Sequence, residues 1–238
     1  MSSKNKEIYQ VEIPVRLDIE QVVKRLHFSR GNSNRMEMMA REMAESARAL
    51  ARPRAVFQLS RSRVIDNTTV ALDGVRFTSK ILARLLRDRD AVIPFIATVG
   101  KELDEMPVPP RDMLRQFALD TIKTVILVNA VDYLTDYVKE QCHIPRAALM
   151  NPGELADWPI GQQKPLFELF GGTEKAIGVS LTPGGAMKPI KSRSGIIFPN
   201  ETGFLSCQLC TQLKCPGRRA KYDPALVKEY LGTSPEIS

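Results

Sequence analysis

Three cysteines fall within nine residues, as Cys207-Gln208-Leu209-Cys210 and then Cys215 after four more positions. Two thiolates separated by two residues can ligate one metal from a single turn, and a third can close the same face. The spacing therefore predicts a zinc ion or an iron–sulfur cluster held by Cys207, Cys210 and Cys215. A closed zinc site wants four ligands. Cys142, His143 and His27 are candidates for the fourth, alongside solvent or a partner. Arg218 and Arg219 follow directly and would stabilise an anionic cluster electrostatically. A redox dithiol of Cys207 and Cys210 is a second chemistry open to the same residues. No catalytic triad, phosphate-binding glycine loop or paired acid–base constellation accompanies them, and Gly171-Gly172 and Gly184-Gly185 read as turns.

The rest of the composition narrows the setting. The chain has 238 residues, 43% hydrophobic and 26% charged, enough for one large domain or one domain with a small appendage. Four cysteines are few for a disulfide scaffold. No apolar run is long enough to span a membrane, and Met1 to Gln10 lack a signal core, so a cytoplasmic protein is expected. The net charge is +7. The basic residues are dispersed, without the interleaved aromatics or reading motif of a nucleic-acid binder. They suit solvated faces or docking on an acidic protein partner, not nucleic acid.

The elements that must position these residues can be read from periodicity. Val11 to Val15 reads as an edge strand, and Asp18 as the cap of a helix through about His27. A loop at Gly31–Asn34 precedes a helix from about Arg35 to Ala51, which Pro53 stops. Strands are expected at Ala55–Leu59 and Thr68–Leu72. Asp73-Gly74 turns the chain into Val75–Phe77. Thr78 or Ser79 caps a helix carrying Ile81, Leu82, Leu85 and Leu86. Val92–Val99 suits a buried central strand, although Pro94 argues for an edge or a bulge. After a proline-marked loop, the longest helix runs from about Asp112 to Gln141. Its middle is apolar on every side and so belongs deep in the fold. Beyond Pro145 turns become frequent. A short helix near Gly161–Phe170, strands at Ala176–Leu181 and Gly195–Phe198, and a helix near Pro224–Leu231 complete the chain. Strands and helices without a βαβ rhythm indicate an α+β fold.

Within this later texture, Asn151-Pro152-Gly153-Glu154 begins a segment that continues through Trp158 to Phe167. Ile177-Gly178-Val179-Ser180-Leu181-Thr182 follows, then Ala186-Met187-Lys188-Pro189, then Lys191-Ser192-Arg193-Ser194-Gly195-Ile196-Ile197-Phe198. In order and spacing this series is similar to the pattern PGY…IGV.LT…AM.P..SVSG.YF. That pattern belongs to the activation (reactivation) domain of vitamin B12-dependent methionine synthase. The chain is thus expected to resemble that domain in stand-alone form, over residues 1–200, with a cysteine-containing extension over 201–238. The resemblance implies a twisted antiparallel sheet flanked by helices.

The resemblance also implies a chemistry. Such domains bind S-adenosylmethionine over a corrinoid (cobalamin) held by a neighbouring domain. When the cobalt has been oxidised, an electron arrives and the sulfonium methyl passes to the reduced cobalt. The expected partners are a corrinoid-binding protein or methyltransferase, with a flavodoxin or ferredoxin as electron donor. The Pro152-Gly153 turn lets a ligand approach the main chain closely. The implied ligand-binding residues are Asn151, Pro152, Gly153, Glu154, Trp158, Ser194 and Gly195. Asp132 is the nearest match to a helix acid that faces the cationic ligand, with Glu154 and Asp157 as local alternatives. Two positions depart from the pattern: Leu149 stands where the family has an arginine that would clamp a carboxylate, and Glu154 where it has a tyrosine. An alternative reading follows from the cysteines: an accessory protein that binds a metal or iron–sulfur centre and keeps the fold without S-adenosylmethionine chemistry.

Overall fold

The computed structural model describes residues 7–26 and 33–232; His27 and the expected loop residues Gly31 and Asn32 lie outside them. In chain order the strands and helices are β1 (Tyr9–Glu12), α1 (Ile19–Leu26), α2 (Ser33–Leu50), β2 (Arg54–Phe57), β3 (Ser60–Val64), β4 (Thr69–Leu72), β5 (Val75–Thr78), α3 (Lys80–Leu85), β6 (Ala91–Thr98) and α4 (Met113–Gln141). They continue with β7 (Ala147–Met150), α5 (Gln163–Glu168), α6 (Thr173–Ile177), β8 (Ser180–Leu181), β9 (Met187–Lys188), β10 (Ser192–Pro199) and α7 (Pro224–Leu231).

The main sheet is antiparallel throughout, with strand order β1-β2-β6-β3-β4-β5. β10 pairs with the other edge of β6, and β7 pairs with β10 to form the last strand on that side. This is the α+β architecture expected from the sequence. β6 is central despite Pro94. The β2 pairing ends at Phe57 opposite Phe95, and the β3 pairing resumes at Ser60 opposite Val92. The Pro94 carbonyl accepts from Gln58 N–H at 3.3 Å, so its missing N–H also faces this side. The proline thus sits opposite the break between β2 and β3, where a ladder bond is already interrupted.

Two cores lie on the two faces of this sheet. On one face Ala55, Phe57, Ile93, Phe95 and Ile197 pack against Val131, Leu134 and Val138 of α4. The other half of α4, with Leu119, Ile122 and Val125, packs against α1 and α2 through Val22, Met43 and Ala47. A helix buried along two flanks needs apolar residues on most of its circumference, which is why its middle shows no amphipathic stripe. On the second face, α3, the 151–170 segment and α7 cover Val56, Ile96, Ile196 and Phe198. Phe204, Leu209 and Val227, from beyond residue 200, are buried in this same core.

Capping follows the sequence closely. Asp18 accepts from Glu20 N–H at 3.0 Å, Ser79 from Leu82 N–H at 2.9 Å, Asp112 from Arg115 N–H at 3.0 Å and Asp223 from Leu226 N–H at 3.0 Å. Pro224 opens α7, and Gly232 ends it at φ 77°. One expected strand is different: Ala176–Leu181 is the end of α6, a left-handed Gly178 at φ 72°, and a strand of only two residues. Gly178 serves as a helix C-terminal stop, its N–H donating to Glu174 O at 3.0 Å.

Candidate functional site

α4 presents Thr124, Val128, Asp132 and Thr135 at spacings of four, four and three, one stripe along a helix. This stripe forms one wall of a groove of about 490 Å³. Ala147, Ala148 and Leu149 of the edge strand β7 form the facing wall, with Glu154 at its end. Residues 205–207 and 216–219 close a third side, and Arg25 and Arg193 complete the lining.

The groove brings together some of the sequence-predicted residues and not others. Asp132 and Glu154 both line it, from separate elements. Asp132 is exposed and forms an ion pair with Arg219 at 3.1 Å. Glu154 accepts from Asn151 Nδ2 at 2.8 Å. Asn151 is buried, and its Oδ1 has no hydrogen-bond partner among the described residues. Pro152 is buried and Gly153 exposed. Gly153 adopts φ 85°, a left-handed conformation that other residues rarely tolerate. Its N–H donates to Trp158 O at 2.7 Å, closing the loop on itself.

Trp158, Ser194 and Gly195 are not among the residues that line this groove. Trp158 is fully buried in the core and meets Phe77 edge-on at 6.3 Å. Ser194 is buried and donates to Gln163 Oε1 at 3.0 Å, while Gln163 Nε2 donates to Gly185 O at 3.1 Å. Gly195 is needed for a close approach: a Cβ there would lie 2.5 Å from Met150 O and 2.6 Å from Asn151 Oδ1. It therefore seats the end of β7, and with it the 151–154 loop. Asp157 is occupied at the start of α3, where its carboxylate accepts from Ser79 Oγ and from Ile81 N–H.

The expected metal centre draws no support from the arrangement of the cysteines. All four cysteines are free thiols, and no group of three or more His, Cys, Asp or Glu side chains among the described residues is gathered to hold a metal ion. The cysteine segment is organised by a guanidinium instead. Arg218 donates to the carbonyls of Cys207, Cys210, Gln212 and Ala220, each at 2.8–3.0 Å. The thiols meet different surroundings: Cys207 lines the groove, where its sulfur accepts from Arg219 N–H at 3.4 Å, and Cys210 packs against the core. Of the candidate fourth ligands, Cys142 ends α4 and lines a separate apolar pocket with Tyr9, Phe57 and Tyr137. Burial pushes its thiol pKa up. His143 follows it at φ 53°, in the left-handed conformation that ends helices.

Arg25 and Arg193 line the groove without having been singled out as site residues in the sequence. The available signal was strand alternation: Ser192 and Ser194 are buried, so Arg193 between them must face the opposite side.

The curled antiparallel sheet and the long helix across one face have the fold of the MetH reactivation domain. Among solved structures, the chain matches the crystal structure of the MetH reactivation domain bound to AdoHcy, with a TM-score of 0.60 and 16% identity over 97% of this chain and 91% of that one. At that identity the likeness is one of fold. No family model matches the sequence, and no curated protein matches it. No helix among the described residues is long and apolar enough to cross a membrane.

Proposed function

We propose that this chain is an accessory protein for the reductive reactivation of a corrinoid methyltransferase, and that it binds an S-adenosyl ligand in the groove between α4 and β7. The observation that carries this reading is the meeting of Asp132 and Glu154 in one groove beside the 151–154 loop, within a fold whose solved counterpart was crystallised with AdoHcy. A corrinoid on the partner would supply the cobalt that takes the methyl group, and a flavodoxin or ferredoxin would supply the electron. The work of this chain is to bind and orient the methyl donor.

The groove's polar groups fit such a ligand. Asp132 offers a carboxylate to a sulfonium or ammonium. Its present partner, Arg219, is a half-exposed ion pair, a class worth little, so a ligand cation can compete for it. The orphaned, buried Asn151 Oδ1 is an acceptor without a donor. Leu149 fits a ligand carboxylate poorly, having no donor. The excess positive charge, with a pI near 9.3, suits docking on an acidic corrinoid protein or flavodoxin. The alternative, action through a metal on the cysteines, draws no support from the described residues.

The test is turnover. The chain is mixed with a methyltransferase carrying cob(II)alamin, a low-potential reductant and S-adenosylmethionine, and S-adenosylhomocysteine is measured. Release that requires all components, and falls when Asp132→Asn replaces the native chain, is the expected result. Release at the same rate without the chain would overturn the proposal.

A further inference from the structure

Four arginines line the groove against two carboxylates, Asp132 and Glu154. Two of the arginines are engaged: Arg218 by the backbone carbonyls of the cysteine segment, and Arg219 by Asp132. Arg25 and Arg193 have no hydrogen-bond or ion-pair partner among the described residues, although both are partly buried. A guanidinium cannot shed its charge, so an unpaired one at a groove wall is best satisfied by an oxyanion.

Arg193 is also firmly placed. Ser192 Oγ donates to Pro189 O at 2.7 Å and lies 2.9 Å from Thr98 Oγ1, and Ser194 Oγ donates to Gln163. Both flanking serines are buried and bonded on the far side of the strand, so the backbone beneath Arg193 is pinned from both ends. A further coincidence concerns position. Leu149 replaces the arginine of the resembled loop, and Arg193 stands where the resembled SVSG pattern has valine. The two residues belong to paired strands, β7 and β10, and line the same groove.

We infer that Arg193, assisted by Arg25, is the carboxylate clamp of this groove, taking in this chain the role that Leu149 cannot fill. The inference rests on the S-adenosyl reading for the identity of the ligand, and on the unpaired guanidiniums for its chemistry. An amino-acid carboxylate would accept two parallel N–H bonds from Arg193, while Asp132 faces the cationic end of the same ligand.

The full chain is titrated by calorimetry with S-adenosylmethionine and with its decarboxylated analogue, which keeps the sulfonium and amine. The clamp predicts that the native chain favours the carboxylate-bearing ligand, and that Arg193→Gln weakens it by roughly 10- to 100-fold, the worth of a charged hydrogen bond, while leaving the analogue unchanged. Equal binding of S-adenosylmethionine by native chain and variant, or an equal loss of both ligands, would overturn it. Inorganic phosphate, followed by phosphorus NMR, separates the two layers. If no S-adenosyl ligand binds but phosphate binds the native chain and not Arg193→Gln, the clamp stands and the S-adenosyl reading falls. If phosphate binding is absent or indifferent to Arg193, the clamp falls. Arg193→Lys, which keeps the charge without the planar fork, checks that the position tolerates substitution. It should bind phosphate and lose most of the preference for the carboxylate.

Discussion

Trp158 and Asp132 meet opposite surroundings, one in the core and one at the groove wall. Trp158 is fully buried against Phe77, so Trp158→Ala should lower stability by about 3–5 kcal/mol through the cavity it leaves. Chemical denaturation of the two proteins would show this as a shifted midpoint. An unshifted midpoint with lost ligand binding would return the tryptophan to the site. Asp132 is held by Arg219 in a half-exposed ion pair. Arg219→Ala should free the carboxylate and tighten binding of the decarboxylated, purely cationic ligand by a few-fold, most clearly at low salt. Calorimetry at two ionic strengths measures it, and weaker binding in the variant would contradict the competition. Asp132 was singled out through the resemblance alone, as the nearest match to its helix acid, with Glu154 as a local alternative; that both line one groove could not be read from the sequence. The fate of the cysteines was not legible either: ligand spacing is local, whereas the surroundings of each thiol depend on Arg218, eight residues beyond Cys210, and on core packing.

Among elements, β10 does the most positioning. Its Gly195 lets the end of β7 approach, and a Cβ would collide with the Met150 carbonyl oxygen. Gly195→Ala should therefore cost about 1–3 kcal/mol, as overpacking does, and loosen the 151–154 loop. A thermal melt with proteolysis mapping tests both parts, and a native melting curve would argue against the close approach. Helices α3, α4 and α7 were legible because their caps and stops are local: Ser79, Asp112, Asp223 and Gly232. β3 and β7 were not separately legible. β3 carries exposed Arg61 and Arg63 on its outer side, and β7 is a four-residue strand pairing only with β10. Tertiary pairing rather than propensity makes both of them strands. α6 was misread because Ile177, Val179 and Leu181 alternate as a strand would, while Gly178 imposes the turn.

At the scale of the molecule, the segment beyond residue 200 is built into the fold and into the groove together. Phe204, Leu209 and Val227 are buried in the sheet's second core, while residues 205–207 and 216–219 close the groove. Burying three such side chains contributes on the order of 5–9 kcal/mol, comparable to the whole stability of a domain, about 5–15 kcal/mol. A chain ending at residue 200 should therefore show no cooperative urea transition by circular dichroism; a native-like transition would show the segment to be dispensable. The α+β class was legible from strands and helices without a βαβ rhythm, and the antiparallel sheet was implied by the resemblance; the groove was not legible, because its walls come from α4, β7, β10 and the final segment. The central claim is that an S-adenosyl ligand lies in that groove, and a crystal structure of the full chain grown with S-adenosylhomocysteine tests it most directly. Ligand density is expected between Asp132 and Arg193, with the carboxylate at the arginine. Density in the apolar pocket of Tyr9, Phe57 and Tyr137, or an empty groove at saturating ligand, would contradict it.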